Sequence, residues 1–275
     1  NISLFGTYSQ FIKMDNGDIY LFYRHGAHRS DWVYQKSTNN GKTFDEPVSF
    51  LKHKRRTDIE AEDSWYPWLS KGNGDDIIVA FDYHICRDKK NSQDPRGHIP
   101  ERHNLYYMVF DTKKGIWKNV KNESLAMPLT KELADEKALV KEIPNDWTFQ
   151  AIAAIDANGN PQVGVMVGPD VSAKRSGPKR IQHFRWNGQE WLKGNTDNLP
   201  KGDTNIEVKS TTEVSLYLES QTQRDIGEIS RWDSFDGGKT FNKNKVFLSK
   251  KNSGFVISSL IDNPHPDARM IDRQT

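Results

Sequence analysis

Short segments that alternate apolar and polar residues come in pairs along this chain, and an Asn-Gly turn joins the two members of each pair. The turns lie at residues 16–17, 73–74 and 158–159. Because both turn positions tolerate positive φ, Asn-Gly between alternating segments predicts a β-hairpin. The strand pairs that we expect are Tyr8–Lys13 with Ile19–Tyr23, Trp65–Ser70 with Ile77–Tyr83, and Phe149–Ile155 with Val163–Val167.

Further apolar segments predict a third strand in each repeated unit and usually a fourth. The units recur at unequal intervals of roughly 60 to 85 residues, which is typical of β-propeller blades. Third strands are expected at Trp32–Lys36, Leu105–Phe110, Ile181–Trp186 and Glu228–Trp232, and fourth strands at Pro47–Leu51, near Trp117, at Trp191 and at Val246–Leu248. The predicted fold class is therefore all-β, a β-propeller of four-stranded blades. A β-sandwich, the alternative, would not explain the recurring order of turns.

Two turns share the pattern S-x-[DN]-x-G-x-T-F, at Ser37–Phe44 and at Ser234–Phe241. This pattern resembles the Asp-box, a turn between the third and fourth strands of sialidase-type blades. Its logic is local: the Asx side chain accepts backbone N–H groups, glycine takes the positive φ, and the aromatic ring plugs the blade. Each match follows a predicted third strand, so the two together support the fold but say nothing about catalysis.

The repeats amount to about four blades and a final strand, Phe255–Leu260. We expect residues 1–275 to form a single propeller domain that lacks N-terminal blades of a larger, seven-bladed propeller. The first residue is Asn1 and not methionine, which fits the expectation that upstream residues are missing. The segment Lys131–Lys141 is compatible with a short helix in an insertion.

Composition narrows the functional classes. Mean hydropathy is −0.80, yet aromatic residues make up 11% of the chain, which predicts a folded protein whose core depends on rings. The 39 basic and 37 acidic residues are spread along the chain, and Lys52–Arg56 is the densest basic run, so nucleic-acid binding is not indicated. No apolar stretch reaches membrane-spanning length. The one cysteine excludes an internal disulfide.

Two N-terminal segments, Gly6–Phe11 and Tyr23–Trp32, resemble the BNR-4 repeat propellers, which include ulvan lyases and related α-L-rhamnosidases. The lyases carry a Tyr-Pro-Arg-Phe segment followed by the arginine of a Tyr-Arg-x-Gly segment. Tyr8 and Arg24 have the corresponding spacing. The resemblance continues, more loosely, to the Asn-Pro-His-Pro segment at 263–266. This chain departs from the lyases in having Ser-Gln after Tyr8 and no glycine-rich stretch after Arg24.

The resemblance implies a secreted or periplasmic polysaccharide lyase that cleaves an anionic, uronate-containing glycan of rhamnose and glucuronate. Tyr8 and Arg24 would be its catalytic residues, together with a histidine of an earlier blade. β-Elimination removes the proton α to the carboxylate and expels the oxygen at C4. A guanidinium about 4 Å from the developing enolate is worth on the order of 4 kcal/mol. A tyrosine can transfer the proton, although it is a poor base at neutral pH unless a cation lowers its pKa.

Two other functions remain open at this stage. One is a glycoside hydrolase such as an α-L-rhamnosidase acting on rhamnosyl-glucuronate. The other is a non-catalytic glycan-binding propeller, which needs rings and charges but no proton relay. Sialidase chemistry is disfavoured because no convincing arginine triad is present. No organic cofactor is indicated.

A second group of residues has the chemistry of a metal site. His84 and Cys86 alternate along a predicted strand and therefore share a face, while His98 follows in a loop. With His28 of the preceding blade, these residues suit a closed, tetrahedral structural Zn²⁺ site. A lone buried cysteine is the alternative. The sequence does not decide whether His98 or His103 is the ligand.

Several residues are candidates for substrate contacts. Trp65, Tyr66 and Trp147 open inner strands, where they would either stack on sugar rings or pack between blades. Arg102 and His103 lie at the start of the predicted third strand, just before Leu105, where they would face an anionic substrate.

Overall fold

A computed structural model describes residues 3–26, 29–87, 99–169, 179–222, 226–265 and 268–274. The chain divides into two compact units, Asn1–Pro144 and Asn145–Thr275, and each is described by itself. Both are built from antiparallel strands. Within the described ranges, no helix has the length and apolar character needed to cross a lipid bilayer.

The first unit opens with a four-stranded sheet whose strands lie side by side in sequence order. They are β1 (Thr7–Lys13), β2 (Ile19–Arg24), β3 (Trp32–Ser37) and β4 (Val48–Leu51). The bounds agree with the predicted strands to within one or two residues. This meander of four antiparallel strands is a propeller blade.

The second sheet of the first unit has six strands in the order β10-β8-β7-β6-β5, with β9 also paired to β8. The elements are β5 (Lys54–Arg55), β6 (Ala61–Lys71), β7 (Asp76–Arg87), β8 (Ile99–Asp111), β9 (Ile116–Lys118), α1 (Lys131–Lys137) and β10 (Leu139–Lys141). The predicted helix is confirmed but is shorter than expected. It begins at an N-cap, Thr130, whose hydroxyl accepts the N–H of Leu133, and it ends before strand β10, in which Leu139 and Lys141 pair with β8 instead.

The second unit contains two more four-stranded blades and a hairpin. The strands are β11 (Trp147–Ile155), β12 (Pro161–Gly168), β13 (Arg180–Trp186), β14 (Trp191–Lys193), β15 (Gly202–Val208), β16 (Val214–Thr222), β17 (Ile226–Ser234), β18 (Asn242–Lys251), β19 (Phe255–His265) and β20 (Ala268–Gln274). The final strand predicted at Phe255–Leu260 lies within β19, which pairs with β20. The all-β class of four-stranded blades is confirmed, and the single domain over 1–275 remains a prediction.

Both Asp-box patterns form the expected turn. The hydroxyls of Ser37 and Ser234 accept the N–H groups of Gly41 and Gly238 at 2.9 and 2.8 Å. The turns lie between β3 and β4 and between β17 and β18, which are the third and fourth strands of their blades. Phe241, at the end of the second turn, is buried in the core of its unit.

Polar contacts fix the two sheets of the first unit against each other. The Gln10 amide donates to the carbonyl of Pro67 at 2.9 Å and accepts the N–H of Leu69 at 3.0 Å. The Trp32 indole N–H donates to the carbonyl of Trp65 at 2.8 Å. These bonds join β1 and β3 to β6, and a common aromatic core lies beneath them. The first residues of β1 are therefore held beside the middle of β6.

Candidate active site

Tyr8, near the start of β1, lies at an irregularity of the strand that turns its side chain towards solvent. Its φ is +60°, and the pairing of β1 with β2 shifts register between Thr7 and Gln10. Bulges of this kind turn a side chain out of the strand's alternation, and a left-handed tyrosine is uncommon. The Tyr8 side chain is consequently exposed over 54% of its surface, although it lies next to the core. Gln150 in β11 shows the same irregularity, with φ +46°. It precedes the turn glycine Gly159 by as many residues as Tyr8 precedes Gly17.

Arg24 lies directly against Tyr8. It is the last residue of β2, it pairs with Thr7, and it is only 3% exposed. Its guanidinium carbon lies 4.8 Å from the centroid of the Tyr8 ring, and its Nε donates to the Thr7 hydroxyl at 3.3 Å. The predicted catalytic pair is thus brought together, with a positive charge held beside the exposed phenol.

Tyr66 and Arg102 complete this cluster from the second sheet. The guanidinium of Arg102 stacks 3.7 Å from the centroid of the Tyr66 ring, and that of Arg24 lies 5.5 Å from the same centroid. The rings of Tyr8 and Tyr66 meet edge to face at 5.3 Å. Burial raises the pKa of Tyr66, and its hydrogen bond with Tyr8 raises it further, against the opposing effect of Arg102. Tyr66 is therefore a neutral phenol near neutral pH.

The cluster can bind an anion and move a proton at the same place. Two buried guanidiniums supply fixed positive charge in a partly water-excluded site, where their effect on a developing anion exceeds that in bulk water. The exposed Tyr8 supplies a hydroxyl that a ligand can reach. Trp32, which sequence reasoning did not single out, supports Tyr8 with ring centroids 6.2 Å apart. The sequence could have indicated Trp32, because it opens the predicted third strand and pairs there with Arg24, the last residue of the second strand.

The structure describes two of the four predicted metal ligands. His84 and Cys86 lie in β7, both buried, on the face that carries Tyr66. The His84 ring lies 4.9 Å from that of Tyr66. His28 and His98 lie outside the described residues. In the part of the chain that the structure describes, no three His, Cys, Asp or Glu side chains are grouped to hold an ion. The zinc site remains a prediction.

His103 is on the other side of the sheet from the cluster. Strand β8 begins at Ile99, so His103 lies inside the strand rather than at its start, and it pairs with Tyr83 while Arg102 pairs with His84. Its Nε2 lies 3.0 Å from a Glu101 carboxylate oxygen and its Nδ1 lies 3.2 Å from the Ile143 carbonyl. The hydrogen bond with His103, helped by Arg87, lowers the pKa of Glu101 to about 2. These contacts are structural, and a substrate contact for His103 remains a prediction.

The expectation that Trp65 stacks on a sugar is wrong. Its side chain is fully buried and packs against Phe81, Tyr83 and Tyr106, and its indole N–H donates to the Lys52 carbonyl at 2.8 Å. Blade packing, the alternative, is what the structure contains. The neighbouring Tyr66 points the opposite way, as alternation along a strand requires.

Trp147 belongs to the second unit. It is the first residue of β11, it pairs with Gly168, and it is half-buried. A sugar contact for Trp147 remains a prediction.

The blades define a β-propeller, and the tyrosine–arginine cluster is its candidate active site. The chain belongs to the BNR repeat-containing family, whose model matches residues 5–199. It is 78% identical over 271 residues to an ulvan lyase of Nonlabens ulvanivorans, covering 98% of this chain and 57% of the relative. It is 50% identical over 276 residues to the PL25 ulvan lyase of Pseudoalteromonas sp. (strain PLSV), covering 98% of this chain and 56% of that protein.

Solved structures of a PL25 ulvan lyase resemble the whole chain. They superpose with a TM-score of 0.92 at 48% identity, covering 100% of this chain and 63% of theirs. One of them is bound to -[GlcA(1-4)Rha3S]-. The chain thus spans a little over half the length of the curated relatives named above.

Proposed function

We propose that the protein is a polysaccharide lyase that cleaves a uronate-containing, ulvan-like glycan by β-elimination. The observation that carries this proposal is the contact between the exposed Tyr8 and the buried Arg24, in a cluster completed by Tyr66 and Arg102. Relatives with 78% and 50% identity are named ulvan lyases, which supports it. The resemblance to the polysaccharide lyases also supports a secreted or periplasmic enzyme.

The reaction divides among these side chains according to charge. When a base takes the proton α to the uronate carboxylate, a role for which the resemblance implies a histidine of an earlier blade, negative charge develops on the carboxylate oxygens, and the guanidiniums of Arg24 and Arg102 stabilise it. The C4–O bond then breaks as the double bond forms, and the departing oxygen takes up a proton. Tyr8, the exposed member of the cluster, serves this proton transfer. Tyr66, held neutral by burial, donates a hydrogen bond without becoming charged.

The full-length protein should produce an unsaturated uronate from ulvan or another uronate polysaccharide. Its ultraviolet absorbance, followed over a panel of such polymers, measures β-elimination directly. New reducing ends without that absorbance would identify a glycoside hydrolase instead. Binding of the polymer without either product would identify a glycan-binding propeller, and both results would overturn the lyase proposal.

A structural zinc ion belongs to the same proposal, with His84 and Cys86 as two of its ligands and His28 and His98 as the others. Buried imidazole nitrogen and thiolate sulfur on one face of β7 are the donors that closed zinc sites use. Metal analysis of the purified protein should find about one zinc ion per chain, and Cys86→Ser should lose it and lower Tm. Less than about a tenth of an equivalent in the unsubstituted protein would exclude the site.

A further inference from the structure

A small cavity of the first unit lies on the side of the second sheet that faces away from the Tyr8 cluster. It encloses about 140 Å³ and is lined by Lys52, His53, Lys54, Asp63, Thr130 and Lys131. Asp63 and Tyr66 are separated by an odd number of residues in β6, so their side chains project from opposite faces. The cavity is therefore separate from the candidate active site. Its lining includes the start of the basic run Lys52–Arg56, to which the proposed function gives no role.

The imidazole of His53 is held in one orientation at the wall of this cavity. One carboxylate oxygen of Asp31 accepts the backbone N–H of His53 at 3.0 Å and lies 2.6 Å from its Nδ1, while the other accepts the Ser49 hydroxyl at 2.6 Å. Burial opposes ionisation of Asp31, but the hydrogen bonds from Ser49 and His53 lower its pKa. An ionised carboxylate can only accept, so Nδ1 carries the hydrogen. Nε2 has no hydrogen-bond partner among the described residues and is left for a ligand.

Asp63 supplies a second acceptor to the lining. Its side chain is largely buried, its Oδ1 accepts the hydroxyl of Tyr83, and the same oxygen lies 3.8 Å from Nη1 of Arg56. Oδ2, the other oxygen, has no hydrogen-bond partner in the part of the chain that the structure describes. The cavity thus combines two unused acceptors, one from His53 and one from Asp63, that come from different strands or connections of the same sheet.

The ammonium groups around the cavity are each paired with a carboxylate. The pairs are Lys52 with Asp31 at 3.1 Å, Lys54 with Glu132 at 2.9 Å, and Lys131 with Asp135. An ammonium has three N–H donors, so each lysine can also donate to a ligand. Because every lysine has its own carboxylate and Asp63 adds another, the lining has no surplus of positive charge that would select an anion.

We propose that this cavity binds one neutral pyranose residue, whose hydroxyls donate to Nε2 of His53 and Oδ2 of Asp63 and accept from the lysine ammoniums. An apolar cavity of about 150 Å³ holds one benzene ring, so this volume suits a single six-membered ring. A sugar hydroxyl both donates and accepts, which matches a lining that offers both, and the lysine stems provide apolar walls for the ring. The site goes beyond the lyase function and gives the protein a second contact with a glycan, away from the residues that cleave it.

The test is a ligand-observed NMR titration of the full-length protein with methyl α-D-glucopyranoside and with methyl α-D-glucopyranosiduronate, two sugars that differ only at C6. The neutral sugar should bind with a Kd on the order of 1 mM, because a ligand of one ring makes few contacts, and the uronate should bind at least about 3-fold more weakly. His53→Ala and Asp63→Asn should each weaken binding of the neutral sugar by about 3- to 10-fold, since each removes one acceptor. Asparagine still accepts the Tyr83 hydroxyl, and an unchanged Tm shows that the fold is retained.

His25→Ala is the matched control, because it removes an exposed histidine of the same unit that does not line the cavity. Tyr8→Phe separates the cavity from the candidate active site. Both variants should bind the neutral sugar as the unsubstituted protein does. A loss in either of them equal to that in His53→Ala, tighter binding of the uronate than of the neutral sugar, or no saturable binding of the neutral sugar would overturn the site. Neither sugar carries a second residue at C4, so neither is cleaved and the result does not depend on the lyase proposal.

Discussion

Replacing Arg24 by glutamine should lower kcat on a uronate polysaccharide by about 10³-fold, since a guanidinium near the developing enolate contributes on the order of 4 kcal/mol. The side chain is 3% exposed and its guanidinium lies beside the rings of Tyr8 and Tyr66, so its charge acts where water is largely excluded. Charge that develops only in the transition state is stabilised there, and kcat should fall more than KM rises.

Two comparisons make the Arg24 measurement specific. Arg24→Lys keeps the charge but loses the planar fork, and it should recover part of the rate that Arg24→Gln loses. Near-identical circular dichroism and Tm for the two variants would show that the fold is retained. If Arg24→Gln turns over a proven substrate at the unsubstituted rate, Arg24 has no part in catalysis.

Tyr8→Phe should lower kcat by about 10²- to 10⁴-fold, which is the usual contribution of a positioned proton-transfer group. Phenylalanine keeps the ring, and hence the edge contact with Tyr66 and the cation–π contact with Arg24, so that only the hydroxyl is lost. Initial rates of unsaturated-product formation and a binding measurement with the uncleaved polymer separate loss of chemistry from loss of affinity.

Tyr66→Phe is the matched control for Tyr8→Phe. It removes a hydroxyl that hydrogen-bonds to Tyr8 but is itself buried, so its loss should weaken positioning by only about 10-fold. Equal rates for Tyr8→Phe and the unsubstituted protein would assign the proton transfer to another residue. A larger loss in Tyr66→Phe than in Tyr8→Phe would exchange the two roles.

The fold was predictable where the sequence carries local signals. Asn-Gly turns give the hairpins around residues 16, 73 and 158, and the Asp-box patterns mark two junctions between third and fourth strands. The hairpin of β15 and β16 has no such turn and was not predicted, although its third and fourth strands were. The long β8 was predicted only from Leu105, because the polar residues before it do not alternate with apolar ones.

The candidate site was predictable in part, for a physical reason. Spacing and family resemblance selected Tyr8 and Arg24, and the structure brings them together. Neighbouring residues such as Trp65 and Tyr66, or Arg102 and His103, point to opposite faces, and composition does not indicate which face is buried. Only the pairing register decides this, so the sequence left open that Trp65 is buried and that His103 lies on the face away from the cluster.

The left-handed backbone conformation of Tyr8 lowers the stability of the fold, while the proposed activity depends on the tyrosine at that position. A bulky residue at φ +60° costs of order 1 to 3 kcal/mol relative to relaxed backbone, whereas glycine or asparagine adopts that conformation readily. Variants selected for thermal resistance alone would therefore accumulate Gly or Asn at position 8 and lose the phenol. With Tyr8 in the proposed proton transfer, thermostabilisation by directed evolution needs a catalytic screen at every round, because a substitution that relaxes this backbone also removes the phenol.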